Sequence, residues 1–292
     1  MNRSRAETKK AKPAKPAKPA KPAKRSMAER ADRHRCYEKA VQTPEHEVEF
    51  FERAYADCFH KKPLTLREDF CGTFAICCRW VQSHPKRRAV AVDYCGDTLD
   101  WGRKRNLAKL DEDQQQRIRL LQQDVRKRNR PQVDIVSAQN FSFWIFKTRK
   151  EVIEYFRIVR ANLKAEGVLV MDMMGGSECF EDDHTEKKVI KKGKKGFRYD
   201  WEQASFDPIT HDVTFYIHFK FGDGSKLKRA FEYHWRFWTM PEVREMLAEA
   251  GFSESYVYWE NEDEDGEGDG TYDRAEVGTA DPAWICYLVA KK

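Results

Sequence analysis

Between residues 63 and 176 short apolar runs alternate with helical stretches, and no other feature of this 292-residue chain narrows its fold as much. "PLTLRED" (63–69), "RAVAVDY" (88–94), "RIRLLQQDV" (117–125), "VDIVSAQN" (133–140) and "GVLVMDMMGG" (167–176) have the length and composition of strands. Helical spacing falls between them. It runs from Thr73 to Ser83, stopped by His84-Pro85, through "DTLDWGRKRNLAKL", and through "TRKEVIEYFRIVRANLK" with Val152, Tyr155, Val159 and Leu163 on one face. Strands joined through helices lie parallel, with right-handed crossovers, so the pattern predicts an α/β fold with helices on both faces of a mostly parallel sheet. A further amphipathic helix is expected at "TPEHEVEFFERAYADCF", with Thr43 as cap, Pro44 in the first turn and Val48, Phe51, Tyr55 and Cys58 in register.

The period then changes. From about residue 196 to 238 apolar residues recur every second position: Phe197, Tyr199, Trp201; Val213, Phe215, Ile217, Phe219, Phe221; Leu227, Phe231, Tyr233, Trp235, Phe237. The turns "DPIT" and "GDGS" separate these runs, which predicts an antiparallel meander inserted in the α/β domain. "TMPEVREMLAEAGF" returns to helix, with Thr239 and Glu242 spaced as a capping box and Gly251 as the stop. Two last strands, near Ser255–Trp259 and Ala283–Ala290, flank "ENEDEDGEGDG". Its seven carboxylates lack the spacing of a calcium-binding loop, so a solvated connection is expected and no metal site is assigned.

Charge is uneven along the chain. Residues 1–26, built on a repeated KPA unit, hold ten Lys or Arg and one acid, Glu7, so that this segment carries +9 of a chain whose net charge is +6. Proline at every third position forbids helix and favours an extended, solvated tail, expected to be disordered, with a class of weak, nonspecific nucleic-acid contacts open to it. The domain proper is expected over residues 27–292 and is mildly acidic. Eight scattered cysteines without a CxxC pair are expected as reduced thiols. No apolar run approaches the roughly 20 residues that span a bilayer, and a cytoplasmic location is expected.

In an open parallel sheet ligands bind at the carboxyl ends of the strands. Glu68 and Gly72 close the first strand, Asp93 the second, Asp124 the third and Asn140 the fourth. The first turn, "EDFCGTF", has one glycine and two phenylalanines where a dinucleotide loop needs glycines for close approach to pyrophosphate. Pyrophosphate is disfavoured, and so is a Walker loop. An adenosine without phosphates fits such a turn.

These residues resemble the class I S-adenosylmethionine-dependent methyltransferases, over roughly residues 36–292: Glu68-x-x-x-Gly72, then "AVAVDY", "LLQQDV", "VDIVSAQNFSF" and "LKAEGVLVMD". More narrowly, "LREDFCGT", "NFSFWIFKTR" and "WEQASFDPITH" resemble one group within that family. The resemblance implies a seven-stranded Rossmann-like sheet whose last strand is antiparallel, and S-adenosyl-L-methionine as cofactor. It implies Gly72 as the turn glycine, Glu68 as the acid of the first motif, Asp93 on the ribose hydroxyls with Tyr94 against adenine, and Asp124 and Val125 at the adenine edge. Asn140 and Phe141 would lie beneath the sulfonium, and Tyr37 would close over the methionine end or pack in the core. Phe70 and Phe74 depart from the family's usual glycines, and Phe70 must pack away from the cofactor.

A sulfonium is already a strong leaving group, so such an enzyme mainly aligns a nucleophile and excludes water. An amine needs only to be deprotonated. An oxygen nucleophile needs a base, for which the meander offers His211, His218 and His234, and Asn140 and Tyr216 are further catalytic candidates. The meander is expected to roof a small-molecule acceptor, with Trp201, Tyr233, Trp235 and Trp238 as candidate contacts for an apolar or cationic group. Two competing functions remain at this level. One is a nucleic-acid methyltransferase using the basic tail, against which "AQNFSF" lacks the proline pair of exocyclic-amine enzymes. The other is a non-catalytic binding protein on the same fold.

Overall fold

The computed structural model describes residues 25–190, 196–264, 266 and 268–292. The expected tail lies outside the described residues as far as residue 24. The elements run α1 (Arg33–Val41), α2 (Pro44–Phe59), β1 (Thr65–Asp69), α3 (Ala75–Ser83), β2 (Arg88–Asp93), α4 (Gly96–Arg105), α5 (Glu112–Gln116), β3 (Ile118–Gln122) and β4 (Val133–Ala138). They continue with α6 (Arg149–Asn162), β5 (Leu163–Gly175), β6 (His184–Ile190), β7 (Phe197–Phe206), β8 (Asp212–Phe221), β9 (Lys226–Arg236), α7 (Met240–Glu249), β10 (Glu254–Glu262), β11 (Gly268–Ala275) and β12 (Trp284–Lys291).

The central sheet has the order β11-β10-β12-β5-β4-β1-β2-β3. β1 to β5 pair in parallel, and β12 runs antiparallel between β5 and β10. The order reverses at β1, whose neighbours β2 and β4 lead away in opposite directions, so the crevice for a ligand opens above β1 and β4. Helices cover both faces. Leu66, Ala91, Ile135 and Val170 pack under α2 and α3 through Phe51, Ala54, Cys77 and Trp80. Val92, Val136, Leu169 and Met171 pack on the other side under α6 and α7 through Val152, Phe156, Val159 and Met246. Each buried Val, Leu, Ile, Phe or Met among them contributes roughly 1.5–3 kcal/mol. α6 starts at a capping box in which Thr148 and Glu151 satisfy each other's backbone amides, and α7 starts the same way with Thr239 and Glu242.

The meander is a second sheet of four strands, β6-β7-β8-β9, all antiparallel. Val213, Phe215, Ile217, Phe219 and Phe221 alternate inward along β8 as their spacing requires. Cys36 and Ala40 of α1 pack against Ile217, Phe219 and Phe221, which holds the meander over the carboxyl edge of the main sheet.

Two strands depart from the sequence expectation. β6, "HTEKKVI", is an exposed edge strand whose charged face hides its period; it extends the expected meander of 196–238 back to residue 184. β11 occupies part of the acidic segment expected as a connection, and pairs antiparallel with β10 to give the sheet an eighth strand beyond the expected seven. No two of the eight cysteines are bonded; Cys95 is exposed, Cys58 half-buried and the rest buried. Among the described residues no helix is long and apolar enough to cross a membrane.

Candidate functional site

The crest of the main sheet, where β1, β2 and β4 end, is organised by carboxylates. The Asp93 carboxylate accepts from the Gly72 amide at 2.8 Å and from the Cys95 amide at 2.8 Å, tying the turn after β1 to the turn after β2. A carboxylate has about four lone-pair positions, so two remain for hydroxyl donors. Tyr94 beside it is 81% exposed, with a free ring face. Gly72 has φ +54, and a Cβ there would meet only Thr98 Cγ2 at 3.9 Å, so conformation rather than crowding requires glycine.

The turn has three left-handed residues: Phe70 at φ 56, Gly72 and Phe74 at φ 49. A non-glycine residue in this region costs roughly 1–2 kcal/mol, and here packing offsets it. The Phe70 ring turns away from the crest onto Tyr155 at 5.7 Å and Phe146 at 6.0 Å, as expected for a turn that must leave room. Phe74 is fully buried and lies so close to Gly102 of α4 that a Cβ there would fall 2.4 Å from its ring.

Strand alternation sends Glu68 and Asp69 to opposite faces. Asp69 forms a buried pair with Arg67 at 2.6 Å and accepts from the Tyr155 hydroxyl at 3.1 Å. Arg67 in turn donates to the Val125 carbonyl at 2.7 Å and to Asn129 Oδ1 at 2.8 Å, which fixes the segment after β3. Glu68 accepts from the Cys77 amide at 3.1 Å, anchoring α3; burial pushes its carboxyl up to about 8. Asp124 pairs bidentately with Arg126, at 3.1 Å and 2.7 Å, and this ion pair holds its carboxyl below the usual range. Val125 is buried beside it.

Asn140 and Phe141 follow β4 with φ 57 and φ 55. Their amides donate to the two oxygens of Asp172, at 2.7 Å and 2.9 Å, so a carboxylate on β5 holds the corner. Burial pushes that carboxyl up to about 6. Gln139, one residue earlier, is buried with its Oε1 unpartnered among the described residues. α1 reaches over this crest because Glu38 accepts from Thr73 Oγ1 at 2.7 Å and Asn106 Nδ2 at 2.6 Å.

Below α1 a cleft of about 920 Å³ opens between the two sheets. Its walls include Tyr37, Glu47, Asn140, Phe141, Asp172, Trp201, Tyr233, Trp235, Tyr272 and Tyr287. Trp201 stacks on Phe215 at 4.6 Å, Tyr233 lies 4.5 Å from Trp235, and Tyr37 and Tyr233 share a hydrogen bond. Six carboxylates line it (Glu47, Asp172, Glu178, Glu186, Glu260, Asp269) against two lysines, Lys187 and Lys188. Ligand atoms of Glu178, His184 and Glu186 lie within 4.8 Å of one another at the rim. His184 also lies 3.6 Å from Glu178 and 3.7 Å from Glu181.

The structure therefore brings Tyr37, Asn140, Phe141, Trp201, Tyr233 and Trp235 to one cleft. It keeps five others proposed as acceptor contacts or bases, Trp238, His211, Tyr216, His218 and His234, away from it. Trp238, expected against the acceptor, is 1% exposed, donates its indole N–H to the Phe146 carbonyl at 3.0 Å and stacks under Arg236. It is core because the chain leaves β9 there to begin α7. His211 sits in the β7–β8 turn against Phe180 and Phe206, and Tyr216 faces outward under Arg229 at 4.2 Å. Neither lines the cleft: His211 lies in the turn before β8, and β8 turns Tyr216, with its other even-numbered residues, from the buried face. His218, another base considered, pairs with Glu202 at 2.7 Å, and His234 with Glu232 at 2.8 Å, both on that outer face.

Glu47, Asp172, Tyr272 and Tyr287 were not singled out by sequence reasoning. Asp172 had a signal, a lone carboxylate in the apolar run "VLVMDMM". Glu47 had none.

This is the Rossmann-like fold of S-adenosylmethionine-dependent methyltransferases. Three solved structures carry the likeness. An S-adenosylmethionine-dependent methyltransferase from Clostridium acetobutylicum superposes with TM-score 0.64 at 16% identity, covering 88% of this chain and 96% of the other. CalS10, an amino pentose methyltransferase from Micromonospora echinaspora with S-adenosylmethionine bound, gives TM-score 0.63 at 15% identity over 88% and 95%. KedS8, a sugar N-methyltransferase from Streptoalloteichus, gives 0.61 at 14% over 96% and 99%. No protein-family model matches the sequence, and no curated protein does.

Proposed function

We propose that the protein is an S-adenosyl-L-methionine-dependent methyltransferase whose acceptor is a small molecule bearing an amine. The observation that carries this reading is the Asn140–Phe141–Asp172 corner, which belongs to both the crest and the cleft. A nucleoside on the crest and an acceptor in the cleft would meet there.

The crest's residues fit the cofactor. Asp93 retains lone pairs for the ribose hydroxyls, Tyr94 offers an exposed ring for adenine, and Gly72 leaves open space above the turn. Val125 lies at the adenine edge, while Asp124 is oriented by Arg126. Gln139 Oε1 supplies an acceptor toward the amino-acid end, beside the Asn140 corner. Glu68 acts through α3 and the turn rather than by contact. When bound, the cofactor supplies an electrophilic methyl group.

The chain's own residues then position the acceptor. Ring faces of Tyr37, Trp201, Tyr233 and Trp235 favour a cation, and the acidic lining favours the same charge. The same lining opposes a phosphate backbone. α1 and the meander exclude water from the corner. The names of two similar structures, an amino pentose methyltransferase and a sugar N-methyltransferase, support a nitrogen acceptor of modest size.

The test is incubation of the full chain with methyl-labelled cofactor and an extract split into metabolites, RNA and protein. Label in the metabolite pool, on a compound that titrates as an amine, is the expected result. Label confined to RNA overturns the acceptor assignment, and failure of the pure protein to bind S-adenosylmethionine in a titration overturns the function.

A further inference from the structure

Glu47 is set into the cleft in a way that the cofactor does not explain. It lies on the face of α2 that meets β12, where the Tyr287 hydroxyl donates to its Oε1 at 3.1 Å. Its other oxygen, Oε2, is buried without a partner, the only carboxylate oxygen of which this is true among the described residues. A buried acceptor without a partner gains when a ligand brings a donor to it. Tyr287 is itself fixed, with its ring stacked on Phe50 at 3.9 Å and its backbone directly opposite Asp172 across β5 and β12. Asp172 holds the Asn140 and Phe141 amides. Glu47 therefore stands at the seam where the cleft meets the crest.

Building on the amine reading above, we infer that Glu47 is the proton acceptor for the substrate: an ammonium group docks on Oε2 and surrenders its proton there. The step balances. The N–H bond breaks with its electron pair left on nitrogen as the lone pair that becomes the nucleophile, an O–H bond forms at Oε2, and the carboxylate becomes a carboxylic acid.

The surroundings fit that task. Burial pushes the Glu47 carboxyl up to about 8, the charge of Asp172 on β5 and of Glu68 on β1 pushes the same way, and the Tyr287 hydrogen bond from β12 opposes them. Tyr272 of β11, His46 of α2 and Glu260 of β10 are further titratable groups on this side; burial keeps the phenol protonated and the imidazole neutral, and raises the Glu260 carboxyl. A carboxyl tuned this close to neutrality is a competent base for an amine, whereas one at its ordinary value is not. Near neutral pH the resting carboxyl holds a proton, and a docking cation expels it to water.

Proton release on binding gives the test. Benzyltrimethylammonium, which has no proton to give, and benzylamine are titrated calorimetrically into the full chain, in two buffers of different ionisation enthalpy. With the wild type near neutral pH, both probes should release close to one proton per site. The release of the quaternary probe should fade as pH rises through about 8, where the carboxyl is already ionised. Glu47→Gln should abolish that release and weaken the quaternary probe about tenfold. Tyr287→Phe, which keeps the carboxyl and removes the donor to Oε1, should move the midpoint upward, a shift that a merely structural glutamate would not produce. Release unchanged in Glu47→Gln, or none in the wild type, overturns the assignment. If neither probe binds while S-adenosylmethionine still does, the amine reading falls and takes this inference with it.

Discussion

The crest and the cleft are built on opposite principles. At the crest the carboxylates are each matched, Asp93 to two amides, Asp69 to Arg67 and Tyr155, Asp124 to Arg126 and Asp172 to two amides, while Gln139 Oε1 is left open. In the cleft, aromatic faces line open volume and a buried carboxylate oxygen has no partner. On the reading proposed above, the contrast separates a surface whose carboxylates are already held from one with a carboxylate oxygen left for its ligand. A cofactor common to many enzymes suits the first, and an acceptor particular to one enzyme suits the second.

Substitutions should therefore sort by region. The largest effect is expected from Arg67→Ala, which strands the buried Asp69 charge and frees Val125 and Asn129; urea denaturation should show a loss of about 3–5 kcal/mol. Gly102→Ala comes next. Its Cβ would meet Phe74 and the Thr73 carbonyl, and a loss of about 1–3 kcal/mol should appear in the same measurement. An unchanged midpoint in either variant would show that the crest is not the rigid half.

Asp93→Ala should lower S-adenosylmethionine affinity by about 1–3 kcal/mol, read by calorimetry, and leave binding of benzylamine in the cleft unaltered. Glu68→Gln sharpens the comparison through pH. Burial pushes the folded carboxyl up to about 8 from an ordinary value of 4.5, so the native state holds the proton more tightly and the wild type should lose stability as pH rises between these values. Thermal melts of Glu68→Gln, which keeps an acceptor for the Cys77 amide, should fall less steeply over that window. The smallest effect on stability is expected from Trp201→Ala in the half-open cleft: amine probes should weaken about tenfold while cofactor affinity holds. Equal loss of both ligands would merge the two regions.

The same division governs what could be read from the sequence. Crest residues sit at strand ends within one stretch of chain, so strand periodicity alone located Glu68, Gly72, Asp93 and Asn140. It also located the meander rings Trp201, Tyr233 and Trp235, because alternation fixes a face. Trp238 continues the same alternation one step past its strand, where the α7 cap redirects the chain, and periodicity has no means of marking that exit. Glu47 was illegible for a different reason. On α2 it is one of several acids, and what singles it out is a hydroxyl 240 positions further along the chain. β6 and β11 stayed hidden because charged edge strands display no apolar period.

The walls of the cleft are drawn from Tyr37 near one end of the described chain to Tyr287 near the other, whereas the crest needs only the span from Glu68 to Asp172. On a translating ribosome the nucleoside side could assemble while more than a hundred residues are still to be added. Glu47 meets its phenol only after β12 has left the exit tunnel. Until then a nascent polypeptide can hold the crest together while the β12 wall of the cleft is still missing, so the order of synthesis sets the order in which the two regions close.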